Sequence, residues 1–182
     1  VGGSAGGVAA AVAAAGSGAK VFLAAERPYL GDEMTATLRL WPQPDDDRDT
    51  PLARQLFADP QIKPTEARQP PRPLYVKQML DEALLAAGVP FLYSCFPTAV
   101  LRDGQGRPCG VVLANRAGRQ AVIAKVIIDA TSRAVVARMA GAKFRPFPAG
   151  PQTLKFVVIG GQMHPAPGLT ARLAAAPFRG AF

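Results

Sequence analysis

The chain has 182 residues, of which 49% are hydrophobic and 19% charged, so it is long and apolar enough to form one ordinary globular domain. No apolar run approaches the ~20 residues that a bilayer span requires, and we expect a cytoplasmic protein with no membrane span. Two cysteines and one histidine are too few for a disulfide framework, a four-cysteine zinc site or a histidine-based metal centre, and no metal site is predicted.

The charge is unevenly distributed along the chain, although its sum is +8. Residues 1–93 carry nine basic and eleven acidic side chains, whereas residues 94–182 carry twelve basic and only two acidic ones. A basic half makes nucleic acid or another polyanion one candidate partner. The bases are dispersed singly and no nucleic-acid-binding motif accompanies them, so no nucleic-acid partner is expected.

The first predicted elements are a glycine loop at residues 2–7 and an apolar helix of about three turns that ends at Gly16 and Gly18. Residues 21–25 form a short apolar run, which is typical of a parallel strand buried on both faces. Such a unit normally has a strand before the loop. We therefore expect this chain to lack that first strand, and to lack a C-terminal part as well.

Residues 42–73 contain eight of the 18 prolines and an acidic cluster, and the pattern predicts a mobile surface insertion. Residues 75–87 have the apolar spacing of an amphipathic helix, which Gly88 closes. Four strand-like runs follow, with turn signals between them, and predict an antiparallel meander. These runs are residues 91–96, 98–101, 110–114 and 121–124.

After the meander, residues 126–128 read as another buried strand, which ends at Asp129 and leads into a helix at 134–140 closed by Gly141. Residues 153–159 read as a strand that opens a second region. The predicted fold is α/β, a Rossmann-like parallel sheet with helices on its faces and an inserted antiparallel β-meander. Residues 1–150 would form a nucleotide-binding domain, and residues 151–182 would begin a region on the substrate side.

The glycine loop matches the dinucleotide fingerprint G-x-G-x-x-G at Gly2 and Gly7, while Ser4 stands at the middle glycine. Such a loop lets backbone N–H groups and the dipole of the following helix meet a pyrophosphate. A Ser fits there if its φ is negative, and its hydroxyl can then face a phosphate. The fingerprint also asks for an acidic residue at the end of the second strand to accept ribose hydroxyls, and Glu26 stands there. A packing turn without a ligand is the alternative.

Three segments together resemble FAD-dependent oxidoreductases of the glutathione-reductase-like fold: residues 2–11, residues 26–31, and residues 126–131. The resemblance implies noncovalent FAD, a small-molecule substrate, and a meander inserted into the nucleotide-binding domain. It also implies that the pyrophosphate is held by Gly2, Gly3, Ser4, Ala5, Gly6 and Gly7. By the same resemblance Glu26 would contact the adenosine ribose, and Arg27 would lie beside the adenosine. The backbone near Val100 would face the adenine. Ala130 and Thr131 would approach the ADP half.

Two other functions share parts of this pattern. A nicotinamide-dependent Rossmann enzyme has the same fingerprint, but the meander followed by Asp129-Ala130-Thr131 weighs against it. A non-enzymatic nucleic-acid or anion binder would use the basic half of the chain. Ser132-Arg133 departs from the family pattern, and no residue can be assigned to catalysis. We interpret Asp129 as a cap of the following turn. His164 is interpreted as a loop residue and Trp41 as a packing residue. The sequence indicates no oligomeric state.

Overall fold

The computed structural model describes residues 1–41, 49–62, 70–164 and 166–172. Its helices are α1 (Ala5–Gly16), α2 (Asp32–Thr35), α3 (Pro51–Leu56), α4 (Pro73–Ala86) and α5 (Val135–Ala140). Its strands are β1 (Leu23–Ala24), β2 (Phe91–Leu92), β3 (Phe96–Arg102), β4 (Pro108–Asn115) and β5 (Gly118–Ile123). Both the predicted α/β class and the inserted antiparallel meander are confirmed.

The parallel sheet pairs β1 with β2, with Leu23 opposite Phe91 and Ala24 opposite Leu92. The extended backbone at Val1 continues this sheet on the other side of β1. The Gly2 N–H donates to the Ala24 carbonyl at 2.8 Å, and the Ala130 N–H donates to the Val1 carbonyl at 2.8 Å. Val1 therefore lies between β1 and residues 128–130.

The meander is a three-stranded antiparallel sheet in the order β3-β4-β5. β3 and β4 pair from Phe96 opposite Ala114 to Arg102 opposite Pro108, with two irregularities in register. Turn residues join the strands as the sequence predicted, and Gly118 adopts a φ of +98° where β5 begins.

The core consists of two clusters. The larger lies where α1 and α4 pack beside the parallel sheet, because each helix turns its apolar stripe inward. Its most buried members include Val8, Leu30, Leu40, Val76, Leu80 and Leu84. The smaller cluster joins the parallel sheet to the meander and α5, and contains Ala24, Cys95, Val111, Leu113 and Val136.

Three strand predictions need correction. Residues 91–96 are not one strand of the meander. The extended conformation is interrupted at Ser94, whose φ is +52°. Phe91–Leu92 therefore joins the parallel sheet, and Phe96 is the first residue of β3. Residues 126–128 are not a buried strand, because Val126 is 77% and Ile128 47% exposed, although Ile127 packs against the smaller core cluster and the Val1 amino group donates to the Ile128 carbonyl. Residues 153–159 form no strand, since they pair with no other described segment and remain exposed.

The proline-rich stretch is not wholly a surface insertion. Thr50 caps α3 by accepting a hydrogen bond from Ala53 N–H, and Pro51 occupies the first helical position. Leu56 is only 4% exposed and belongs to the larger core cluster, so α3 is packed. Residues 42–48, which include the acidic cluster at 45–47, and residues 63–69 lie outside the described residues.

Candidate functional site

Ser4 is the N-cap of α1. Its φ of −70° and ψ of 162° are ordinary extended values, as the fingerprint alignment required of a non-glycine residue. The Ser4 Oγ accepts a hydrogen bond from the Gly7 N–H at 3.0 Å and approaches the Ala130 carbonyl at 3.4 Å. The hydroxyl that replaces the middle glycine is therefore engaged by the loop itself.

Close packing requires glycine at three positions of the loop. Gly2 has a φ of +113°, and a Cβ there would lie 2.5 Å from the carbonyl carbon of Ala130. A Cβ on Gly7 would lie 2.3 Å from the carbonyl oxygen of Gly2. Gly3 is similarly confined by Ala25, at 2.8 Å from such a Cβ. These three glycines let the loop lie directly on the sheet.

Gly6 differs from the other loop glycines. It is exposed, and a Cβ there would meet only the Ser4 Oγ, 3.8 Å away. Its N–H has no hydrogen-bond partner among the residues that the structure describes. The N-terminus of a helix concentrates partial positive charge, so Gly6 presents an open donor of the kind that binds phosphate oxygens.

Glu33, on α2, also reaches the N-terminus of α1, and sequence reasoning missed it. Its Oε1 accepts a hydrogen bond from the Ala5 N–H at 2.6 Å. Its Oε2 is buried without a partner in the described structure. Burial raises the pKa of Glu33, the hydrogen bond from Ala5 opposes this rise, and the neighbouring carboxylate of Asp32 adds to it. No local signal marks this residue, because the contact depends on how α2 folds back onto the loop.

Glu26 follows β1 by two residues and is half-buried. Because Gly2 N–H bonds to Ala24, the end of β1 and the glycine loop share one edge of the parallel sheet. The Glu26 carboxylate has no hydrogen bond or ion pair with any described residue. A carboxylate in this position can accept hydrogen bonds from the hydroxyls of a ribose.

Asp129 organises the segment that packs on the loop. Its Oδ1 accepts hydrogen bonds from the Thr131 N–H at 3.0 Å and hydroxyl at 2.7 Å, and its Oδ2 accepts one from the Ala137 N–H at 2.8 Å. Burial disfavours the carboxylate, but these donors prevail and lower the pKa of Asp129. The predicted capping role is confirmed, and it places Ala130 against Gly2.

The sequence of residues 1–150 matches the family model described as FAD dependent oxidoreductase. The chain belongs to the FAD dependent oxidoreductase family. The family is FAD dependent, which confirms the predicted family and the predicted cofactor. No curated protein matches the sequence of this chain.

Two of the solved structures that resemble this chain are the following. THI4 from Thermovibrio ammonificans superposes with a TM-score of 0.53 at 18% identity, covering 78% of this chain and 61% of that one. The 3-ketosteroid-delta4-(5alpha)-dehydrogenase from Rhodococcus jostii RHA1 has a TM-score of 0.42 at 16% identity, covering 68% of this chain and 43% of that one. The oxidoreductase chain thus spans less than two thirds of either neighbour, and the likeness to the first concerns the fold.

The remaining predicted residues of the oxidoreductase lie farther from the loop or at the surface. Arg27 is exposed and forms an ion pair with Asp32 at 3.6 Å. Val100 lies on β3 opposite Val111 and packs into the smaller core cluster. His164 is exposed. The structure therefore brings residues 2–7, Glu26 and Ala130–Thr131 to one region, and places Val100 within the meander.

The described residues contain neither a metal centre nor a membrane-spanning helix. In these ranges no three His, Cys, Asp or Glu side chains are grouped as a metal site. No described helix is both long and apolar enough to cross a membrane. Of the two thiols, Cys95 is buried, whereas Cys109 is only partly buried.

Proposed function

We propose that this oxidoreductase holds FAD by its ADP half, with the pyrophosphate at the N-terminus of α1 and the adenosine ribose at Glu26. One arrangement carries the proposal: the open Gly6 N–H and the unpaired Glu26 carboxylate lie at the same edge of the parallel sheet. A donor at a helix N-terminus suits the anionic part of the cofactor, and an acceptor at the strand end suits its hydroxyls.

The residues present fit the group. Gly2, Gly3 and Gly7 let the loop lie directly on the sheet, and a Cβ at Gly6 would meet only the Ser4 Oγ, so the chain leaves space beside the helix N-terminus. Ser4 adds a hydroxyl whose oxygen lies at the start of the helix. Ala130 and Thr131 border the loop on the side opposite β1, and their backbone would line the ADP half of the cofactor.

When bound, FAD supplies hydride or electron transfer, which protein side chains do not perform. In this proposal the chain described above binds and orients the cofactor. We propose a small-molecule substrate, approached from the side of residues 151–182, and a cytoplasmic location. Arg27 would lie beside the adenosine and the backbone near Val100 would face the adenine.

The proposal is tested by titrating the purified chain with FAD and following the quenching of flavin fluorescence. Gly6→Asp adds a negative charge in open space at the proposed phosphate position, and like charges in contact cost several kcal/mol, or at least roughly tenfold in Kd. Gly6→Ala is the matched neutral control, because its Cβ also points into open space. Gly7→Ala is unsuitable, since its Cβ would strike the Gly2 carbonyl and disturb the fold.

Glu26→Gln tests the ribose end. Losing hydrogen bonds to a charged acceptor costs about 1.5–3 kcal/mol, so FAD binding should weaken by roughly 10- to 100-fold. Glu82→Gln, on the exposed face of α4, makes the same chemical change away from the site. Equal affinity in Gly6→Asp, Glu26→Gln and the unaltered chain would refute the proposal, as would the absence of FAD binding by a folded chain.

A further inference from the structure

The contact between Glu33 and the N-terminus of α1 places a carboxylate of the protein where an anionic ligand would bind. The Glu33 Oε1 lies 2.6 Å from the Ala5 nitrogen, within hydrogen-bonding distance. Ala5 is the first residue of a twelve-residue helix, so its N–H is one of the donors that have no partner within the helix. An acidic side chain there gains from the helix dipole in the same way as a phosphate.

We propose that Glu33 is an internal competitor for the pyrophosphate of FAD: it occupies the Ala5 N–H in the free chain and must swing away when the cofactor binds. This inference rests on the proposed binding of FAD at the glycine loop. It assigns to Glu33 a role in setting the affinity for diphosphate-containing ligands.

The first argument is that the hydrogen-bonding capacity of the Glu33 carboxylate is only partly satisfied in its present position. Only one of its two carboxylate oxygens has a partner, while Oε2 is buried without a hydrogen bond in the described structure. No described Lys or Arg forms an ion pair with Glu33, and Arg27, one of the two cations nearest to it in sequence, pairs instead with Asp32. A buried oxygen without a partner is costly, so a diphosphate with more acceptors can displace this carboxylate.

The second argument is that only the side chain has to move. The Gly31 N–H donates to the Gly3 carbonyl at 2.7 Å, and the buried Thr35 hydroxyl donates to the Gly31 carbonyl at 2.9 Å. The start of α2 is therefore fixed against the loop, and Thr35 at its other end is buried and bonded back to Gly31. Rotation of the long Glu33 side chain frees the Ala5 N–H while the backbone stays in place.

The third argument is charge. A diphosphate and an ionised Glu33 cannot both occupy the start of α1 without strong repulsion. The groups that act on Glu33 are its own and the Ala5 backbone N–H and the Asp32 carboxylate, and its pKa is raised, chiefly by burial. Protonation of Glu33 removes the repulsion, so FAD binding should strengthen as the pH falls through the raised pKa.

The test compares Glu33→Gln with the unaltered chain, using FAD and ADP as diphosphate ligands and adenosine as a ligand without phosphate. We expect Glu33→Gln to bind FAD and ADP roughly tenfold more tightly, with no change for adenosine and with the pH dependence of FAD binding abolished. Glu82→Gln should retain the affinity and the pH dependence of the unaltered chain. Glu33→Gln removes the charge but keeps an acceptor for the Ala5 N–H, whereas Glu33→Ala removes both and should bind FAD more tightly as well.

A purely structural role for Glu33 gives a different result. Glu33→Gln would then bind FAD equally or more weakly and keep the pH dependence of the unaltered chain, and either result overturns the inference while leaving FAD binding itself intact. Equal tightening for adenosine would also overturn it. If the unaltered chain and Glu33→Gln are both folded by thermal melting and neither binds FAD, the proposed function fails and this inference fails with it.

Discussion

Gly2 and Ala130 are far apart in the sequence, yet a Cβ on Gly2 would lie 2.5 Å from both the carbonyl carbon and the carbonyl oxygen of Ala130. The loop at the start of the chain thus rests on the segment that follows the meander. This contact explains Gly2 by packing alone. Some glycines of the fingerprint are therefore required because the loop lies so close to its sheet. Among the glycines of this loop, only Gly6 is exposed to solvent.

Gly2→Ala should destabilise the protein severely. The substitution adds a backbone clash to a φ of +113°, and overpacking together with backbone strain should lower the free energy of unfolding by about 3 kcal/mol or more. Gly18→Ala is the matched control, because Gly18 also has a positive φ of +84° but a Cβ there meets nothing within 4 Å. It should lose only about 1 kcal/mol. Urea denaturation measures both, and equal losses would show that conformational strain, not contact with Ala130, dominates.

Ser4 permits a separation of capping from phosphate binding. Ser4→Ala removes the acceptor of the Gly7 N–H and should lower the free energy of unfolding by about 1 kcal/mol, whereas Ser4→Gly should lower it by only a few tenths. If Ser4 acts only as a cap, Ser4→Gly leaves FAD affinity unchanged. Thermal melts and FAD titrations of both variants decide this, and a large affinity loss in Ser4→Gly with stability retained would assign the hydroxyl to the phosphate.

Asp59 and Arg72 form an ion pair that fastens the proline-rich stretch to α4. The Arg72 guanidinium donates to both carboxylate oxygens, at 2.9 and 3.1 Å, and the Asp59 side chain is fully buried. Asp59→Asn should lower the free energy of unfolding by about 3 kcal/mol, since it leaves the guanidinium, itself partly exposed, without a charged partner. Asp103→Asn breaks the exposed pair with Arg107 and serves as the control, with a much smaller effect expected.

The same pair sets a pH dependence. Burial raises the pKa of Asp59, but the hydrogen bonds from Arg72 and Gln61 outweigh it and hold the pKa below its ordinary value near 3.8. The stabilisation is therefore complete above the unfolded pKa and is lost as the pH falls from 3.8 through the lower folded pKa. Urea melts between pH 6 and about pH 2.5 should show this loss in the unaltered chain and a weaker one in Asp59→Asn. Parallel curves for the two proteins would contradict the assignment.

Asp129→Ala should loosen the segment beneath the loop. The carboxylate holds Thr131 and the third N–H of α5, so its removal should lower the free energy of unfolding by about 2 kcal/mol. Because Ala130 supports Gly2, FAD affinity should fall as well. Ser17→Ala, which removes an exposed hydrogen bond to Ala13, is the control and should change neither quantity measurably. Amide hydrogen exchange at residues 130–137 would show whether the loosening is local.

The sequence revealed the helices and the meander because their signals are local. Apolar spacing and terminal glycines marked α1, α4 and α5, and turn residues marked the ends of β4. Prediction from the sequence failed where the structure of a segment depends on which distant segment it pairs with. Residues 91–96 read as one largely apolar, strand-like run, yet the turn at Ser94 places their two ends in different sheets. Helix α3 was missed although Thr50-Pro51 is a sound helix start, because the prolines around it favoured a loop.

The candidate site shows the same division. The fingerprint and Glu26 could be predicted from their spacing, and the capping role of Asp129 from its place after an apolar run. The role of Glu33 could not be predicted, because its contact with Ala5 spans 28 residues and depends on the path of α2. Residues 126–128 were predicted as buried from their composition, but burial requires neighbours on both sides, and composition does not show whether those neighbours are present.

The position of Val1 between β1 and Ile128 has a thermodynamic consequence. The glycine loop is held on one side by Ala24 and on the other by Ala130, so it acquires its shape only after segments distant in sequence have met. A ligand that requires the finished loop binds the native state alone, and its binding free energy adds to the free energy of unfolding. Loading with FAD and folding are then one linked equilibrium. The melting temperature should climb with the logarithm of cofactor concentration, and the supply of flavin would set how much native protein exists.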